Sequence, residues 1–200
     1  MSIVSRGFVG RRRDRDDRIP PGQYLESDFP VLSAGPTPVV QRSAWRLDVR
    51  SVDGRSRVLT WEDLMALPQE DVTTDIHCVT KWSKLDTTWR GIPLETVLDG
   101  LLDGASHVMV HGTGGYTTNL PLEDLTGGRA WVAHTYGGAP LTAEHGGPAR
   151  LLVPHLYFWK SAKWITRLEL MADDRPGFWE QNGYHDRGDP WLEQRYQGDP

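Results

Sequence analysis

The chain has a single cysteine, Cys78, in 200 residues, and that one thiol removes whole classes of fold. It can make no intramolecular disulfide, and alone it cannot form a Cys-rich zinc or iron–sulfur site. The fold must therefore rest on an apolar core. With 38% hydrophobic residues, a chain of this length can enclose one without a partner and reads as a soluble globular protein of one domain. No apolar run approaches the roughly 20 residues of a transmembrane helix. A net charge of −5 and a pI near 5.8 argue against the basic face that nucleic-acid binding would favour. Three roles stay open for Cys78: an inert buried residue, a nucleophile helped by a nearby His such as His77, or one thiolate ligand to a metal held mainly by a cofactor.

Punctuation along the chain predicts a mixture of short strands and short helices. Residues 1–18 hold six arginines among Asp14, Asp16 and Asp17. A twin-arginine export signal needs an apolar stretch after the arginines, but DRDDRIPPGQ follows, so these residues read as a mobile charged tail on a cytoplasmic protein. Prolines at 20, 21, 30, 36 and 38 make 19–44 an extended arm. Alternation over 45–52, the Asp53-Gly54 turn and 55–59 predict a hairpin. Thr60, with Asp63 three residues on, caps a short helix that Pro68 stops. Residues 72–78 lean towards strand and put Cys78 at its end. Gly91 and Pro93 mark a turn into a helix through about Leu102. Strands follow at 106–111, 116–120 and 130–136, with a short helix at 121–125. Gly112, Gly114 and Gly115 make a loop, but no Lys-Ser/Thr pair follows to complete a P-loop.

Two segments carry a resemblance. HCVTKWS with the spaced WRGIPLETVL, and YGGAPLTAEHGGPARLLVPHLYFWKSAKWITRLEL, are similar to the metal-ligand and cofactor-binding regions of the sulfite oxidase superfamily, nearest to proteins like the catalytic subunit of bacterial methionine sulfoxide reductase. The similarity runs from about Trp45 to Tyr184. It implies an α+β fold with mixed β-sheets and short helices, in which 19–200 form a single molybdopterin-binding oxidoreductase domain and 173–200 pack over the body. It implies a molybdenum-molybdopterin cofactor, with Cys78 as the molybdenum ligand and catalytic centre. His77, His145, Arg150, Lys160, Ser161 and Lys163 become expected cofactor contacts, and Tyr184 a catalytic tyrosine bordering the substrate. The implied reaction is a two-electron oxygen-atom transfer on a small oxyanion, S-oxide or N-oxide, with electrons exchanged with a separate electron-transfer protein.

Two alternatives stand beside this reading. Arg150, Lys160 and Lys163 supply the charge that an anionic cofactor needs, yet two lysines three apart can be a solvated pair. The exposed aromatics of the C-terminal stretch would equally suit a non-catalytic ligand- or partner-binding domain that has lost the cofactor. Competing His-based metal sites lack support: no pair has HExxH spacing, and His107 and His111 on a strand would stand roughly 13 Å apart. Sulfite oxidases grip a dianion with several arginines, and the arm has Asp28, Phe29, Pro30 and Val31 where the family supplies one. Arg90 could take that place only if the fold brings it in.

Overall fold

A computed structural model describes residues 17–200. Residues 1–16 of the expected tail lie outside the described residues; Arg18, the tail's last residue, pairs with Asp86 at 2.8 Å.

The expected hairpin forms after a short arm strand, β1 (Tyr24–Leu25). It comprises β2 (Arg46–Arg50) and β3 (Ser56–Thr60), paired antiparallel. Trp45, Leu47 and Val49 share its buried face, as a period of two requires. The helix α1 (Trp61–Ala66) opens with a capping box: Thr60 Oγ1 accepts from the Asp63 amide at 3.1 Å, and Asp63 returns a bond to the Thr60 amide. The chain then builds β4 (Glu70–His77), β5 (Trp82–Pro93) and α2 (Leu94–Leu98). Gly91 and Pro93 differ from expectation. They lie in β5, not in a turn, although Pro93 ends that strand and leads into α2 as expected. A Cβ on Gly91 would stand 2.7 Å from the Val132 carbonyl oxygen, so this glycine serves a close strand crossing rather than a left-handed turn. α2 also stops at Leu98, short of Leu102, because Asp99 has left helical geometry and Gly100 turns at φ +72°.

The remaining elements are β6 (His107–Gly112), β7 (Thr117–Pro121), β8 (Trp131–Tyr136), β9 (Ala139–Pro140), β10 (Arg150–Leu152), β11 (Ile165–Met171) and α3 (Phe178–Gln181). One sheet runs β3-β2-β11-β6-β7, and the other runs β1-β5-β8-β10 with β4 on β5 and β9 on β8. The pairs β1/β5 and β11/β2 are parallel, so both sheets are mixed. This is the α+β architecture with mixed sheets and short helices.

The main core draws on both sheets and on α1 and α2: Leu47, Val49, Leu64, Val97, Val110, Val132, Leu151 and Leu168 are among its fully enclosed residues. A second, smaller cluster holds Cys78, Trp82, Trp89, Trp131 and Leu152. Neighbours in sequence divide between the two. Val132 and Leu151 face the main core, while Trp131, Ala133 and Leu152 face the second cluster. The second sheet is thus buried on both sides, with the thiol on the side away from the main core. Beyond β11 the C-terminal segment lies over the body: the Tyr157 amide donates to the Gly188 carbonyl at 2.7 Å, and a Cβ on Gly188 would meet the Trp159 ring at 2.7 Å.

Candidate active site

Cys78 follows the last residue of β4 and heads a tight turn into β5. Its amide donates to the Trp82 carbonyl at 2.8 Å, and its carbonyl accepts from the Lys81 amide at 2.9 Å. Lys81 closes the turn at φ +77°, a left-handed conformation that costs a non-glycine residue roughly 1–2 kcal/mol. A third constraint comes from the arm, where the Gln23 side-chain amide donates to the Cys78 carbonyl at 3.1 Å. The Thr80 hydroxyl donates to Sγ at 3.2 Å. Burial pushes the thiol pKa up, and Thr80 with nearby amides pulls against it. The sulfur is 7% exposed as a residue and faces a cleft of about 520 Å³.

The second sequence motif meets the first in that cleft: His145, Arg150, Ser161, Lys163 and Tyr184 line it with Cys78. Arg150 is buried in β10. It donates to the carbonyls of His145 at 2.9 Å, Ser161 at 2.7 Å and Leu151 at 3.3 Å, and its guanidinium lies 4.2 Å from the Phe158 ring centroid. Burial lowers its pKa to about 9. Lys163 donates to the Glu144 carbonyl at 2.7 Å; burial first, then the Arg150 charge, lowers its pKa to about 8. Burial likewise lowers the pKa of His145, helped by Arg150 and Lys163, so its imidazole is neutral at neutral pH. The Ser161 hydroxyl accepts from the Val153 amide at 2.9 Å, which leaves its proton free to donate. Tyr184 packs against Trp179 and Trp159 at 4.8 and 5.3 Å, and burial raises its pKa.

Two expected contacts are placed elsewhere. The His77 ring turns from the cleft to Ser83, Nδ1 to Oγ at 2.9 Å, and burial lowers its pKa to about 4. Adjacent strand residues point to opposite faces, which also separates His77 from the thiol as a catalytic base. The Lys160 ammonium is fully enclosed and pairs with Glu180 at 2.6 Å, so it does not line the cleft. His107 and His111 face separate acidic partners, Asp174 and Glu169, and the described residues contain no group of three His, Cys, Asp or Glu side chains suited to a metal.

Several cleft residues had no motif to announce them. Phe29 in the arm stacks on His145 at 3.9 Å and 8°. The arm residues 32–38 form one rim, and Tyr116, Phe178 and Trp179, with Trp159 of the second motif, add an aromatic wall. Arg90 is not among the lining residues; it bonds Asp71 at 2.7 Å and Gln69 at 3.1 Å on the second sheet.

The site's own chemistry fits an anionic, polar cofactor. Arg150 is held close enough to Lys163 to lower its pKa, and Gly146 permits this, since a Cβ there would stand 3.0 Å from the Lys163 side chain and 3.1 Å from Arg150 Cβ. A buried guanidinium with a part-buried ammonium beside it on one cleft suits an anionic ligand. The Trp82 indole N–H, on the cleft wall, has no acceptor among the described residues and offers a further donor.

Comparison with known proteins agrees. Residues 34–179 match the family model described as oxidoreductase molybdopterin binding domain. The chain is 43% identical over 192 residues to the uncharacterized oxidoreductase YuiH of Bacillus subtilis, covering 94% of this chain and 97% of that one. It is 28% identical over 181 residues to sulfite oxidase of Gallus gallus, covering 74% of this chain but 39% of the chicken protein, and 29% identical over 148 residues to a putative protein-methionine-sulfoxide reductase subunit, YedZ1, of Azospira oryzae, covering 73% and 56%. Among solved structures, the sulfane dehydrogenase SoxCD of Paracoccus pantotrophus shares the fold, with a TM-score of 0.62 over 68% of this chain and 40% of that one at 22% identity. With cleft, cations and matched residues in agreement, the chain belongs to the oxidoreductase molybdopterin binding domain family of the sulfite oxidase superfamily, as an enzyme that uses the molybdenum-molybdopterin cofactor.

Proposed function

We propose that Cys78 is the molybdenum thiolate ligand and that the enzyme transfers an oxygen atom in a two-electron reaction, reducing a small S-oxide or N-oxide. The observation that carries this reading is the convergence of Cys78 with His145, Arg150, Ser161 and Lys163 on one cleft. Bound there, the cofactor supplies a two-electron couple and the site of oxygen exchange. Arg150 and Lys163 hold its anionic groups, and the Ser161 hydroxyl and His145 imidazole add hydrogen bonds. The turn at 78–82 fixes the thiolate in place through its backbone bonds, and Thr80 donates to its sulfur. Tyr184 keeps its hydroxyl proton well above neutral pH, since burial raises its pKa, and directs that proton at the substrate oxygen.

The cleft favours a neutral S-oxide or N-oxide over an oxyanion such as sulfite. Its arm rim carries no arginine, Arg90 is committed elsewhere, and much of the remaining lining is aromatic. The balance is substrate oxide plus two electrons and two protons to the deoxygenated product and water, both electrons coming from a separate electron-transfer protein in the cytoplasm. No helix among the described residues is long and apolar enough to cross a membrane.

The test is elemental analysis of protein made in a host that synthesises molybdopterin, followed by turnover with reduced benzyl viologen. We expect a molybdenum-to-protein ratio near one, lost in Cys78→Ser, and faster consumption of methyl p-tolyl sulfoxide than oxidation of sulfite. A ratio near zero beside a loaded control enzyme from the same host would sink the assignment of Cys78.

A further inference from the structure

Glu180 is a fully buried carboxylate that the chemistry above does not use. It lies in α3, and its Oε1 gathers three side chains from other parts of the chain: Lys160 Nζ at 2.6 Å, the Trp159 indole N–H at 3.0 Å and the Thr118 hydroxyl at 3.3 Å. Lys160, equally enclosed, also donates to the Asn119 carbonyl at 2.7 Å and lies 3.3 Å from Asn119 Oδ1. That same Oδ1 accepts from the Gly177 amide at 3.2 Å. Gly177 leaves no space for a side chain, since a Cβ would stand 2.6 Å from Thr118 Cα and 2.7 Å from Glu180 Oε2. α3 is therefore pressed onto β7 at this point.

What hangs on this contact is the aromatic wall. Phe178 and Trp179 precede Glu180 and line the cleft; Tyr184 follows, its amide held by the Trp179 carbonyl at 3.0 Å. On the other side of the pair, Trp159 precedes Lys160, lines the cleft, and accepts the Tyr116 hydroxyl at 2.6 Å on its carbonyl. A buried ion pair adds little net stability over a well-packed apolar pair, but breaking one partner leaves an uncompensated charge. Such a pair therefore specifies one arrangement more than it strengthens it.

We infer that the Lys160–Glu180 pair is a latch, with Glu180 a positioning residue that seats the Trp159–Trp179–Tyr184 wall against the cleft and thereby sets how tightly the organic part of the substrate is held. The assignment of substrate contact to this wall rests on the proposed oxide-reducing function; the latch itself does not. Burial lowers the Lys160 pKa and Glu180 opposes that shift.

The test uses cofactor-loaded wild type, Glu180→Gln, Lys160→Met and the double variant Lys160→Met/Glu180→Gln. The double variant removes both charges yet keeps an acceptor for the Trp159 indole. Hydrogen exchange is read first. In each single variant, amides of 178–184 should exchange at least about tenfold faster while the central strands β2 and β6 stay protected, and the double variant should recover to within about threefold of wild type. Turnover with reduced benzyl viologen is read second. Glu180→Gln should raise KM for methyl p-tolyl sulfoxide about tenfold with kcat within about twofold and molybdenum content unchanged, while KM for the smaller dimethyl sulfoxide moves less than about threefold.

A uniform rise in exchange across both sheets would make the pair a general stabiliser and overturn the latch. So would failure of the double variant to regain protection, or an unchanged KM for the aryl sulfoxide despite a loosened wall. Loaded wild type that reduces neither sulfoxide would break the proposed function, and the exchange pattern alone would then decide the latch.

Discussion

The molecule has two interiors of different kinds. The main core between the sheets is nearly all aliphatic, with Leu47, Val49, Val110, Leu151 and Leu168 enclosed. The region around the cleft buries indoles, a thiol, Arg150, Lys160 and Glu180. Buried side-chain atoms that lack a partner among the described residues follow the same division. Those of Gln23, Trp82, Tyr157, Glu180 and Arg195 belong to the arm, the 78–82 turn, the loop before Lys160 or the C-terminal segment, with Asp124 the exception. Burying apolar area is non-directional and tolerates small errors of placement, whereas a buried polar network is worth having only if its geometry is held. The first interior holds the chain folded; the second holds groups in position.

The sharpest test of this division is Cys78→Ala. It should reduce sulfoxide turnover by more than about a hundredfold, beyond the usual cost of disturbing groups around a metal ligand, yet shift unfolding free energy by less than about 1 kcal/mol, since one small side chain is removed. Denaturant unfolding and steady-state kinetics on the same preparation read both. The converse is Leu47→Ala in the main core: about 2–5 kcal/mol of stability lost, with turnover per molybdenum unchanged. Equal losses of both kinds in either variant would erase the distinction.

Two smaller changes probe the scaffold near the boundary. Gly91→Ala forces a methyl against the Val132 carbonyl and should cost about 1–3 kcal/mol. Because β5 begins at the end of the Cys78 turn and Gly91 lies near its far end, molybdenum content should survive that loss. Thr60→Ala removes the cap of α1 and should cost about 1 kcal/mol with no kinetic effect; both are read by chemical denaturation.

The mildest effect is in pH dependence. The folded pKa of Lys163 is near 8 against an ordinary 10.5, so between those values the unfolded chain binds the additional proton and stability rises with pH. In protein made without molybdopterin, Lys163→Met should be relatively more stable than wild type below pH 8, and that advantage should shrink towards pH 10.5. Thermal melts across pH 7–10.5 measure it; a constant gap would mean that Lys163 is not desolvated.

The same division explains what could be read from sequence. The hairpin 46–60 and the capped α1 are local, set by alternation, a Gly turn and one hydroxyl, and they form as read. β5 was hidden because Gly91 and Pro93 look like punctuation; only the approach of β8, some forty residues on, gives Gly91 its meaning. In the site, Cys78 of the first motif and Arg150, Ser161 and Lys163 of the second line one cleft. Lys160 could not be told from Lys163 by spacing, because what turns it inward is a carboxylate twenty residues later. Phe29 was marked only by standing in the stretch of the arm where the family supplies an arginine, and its stack on His145 exists only when arm and body meet.

That arm has a further consequence. β1 is two residues long, and its neighbourhood is tied to the body by the Tyr24 amide on Lys81, the Glu26 amide on Ser83 and the Gln23 side chain on Cys78. The other walls of the cleft are sheet strands, the 145–164 loops and the latched C-terminal segment. The segment that supplies one rim of the cleft is therefore also the one that grips the carbonyl of the sulfur-bearing residue. Displacing the arm would both open that rim and remove the Gln23 bond from the Cys78 turn, so the border of the cleft and the placement of its thiol are coupled.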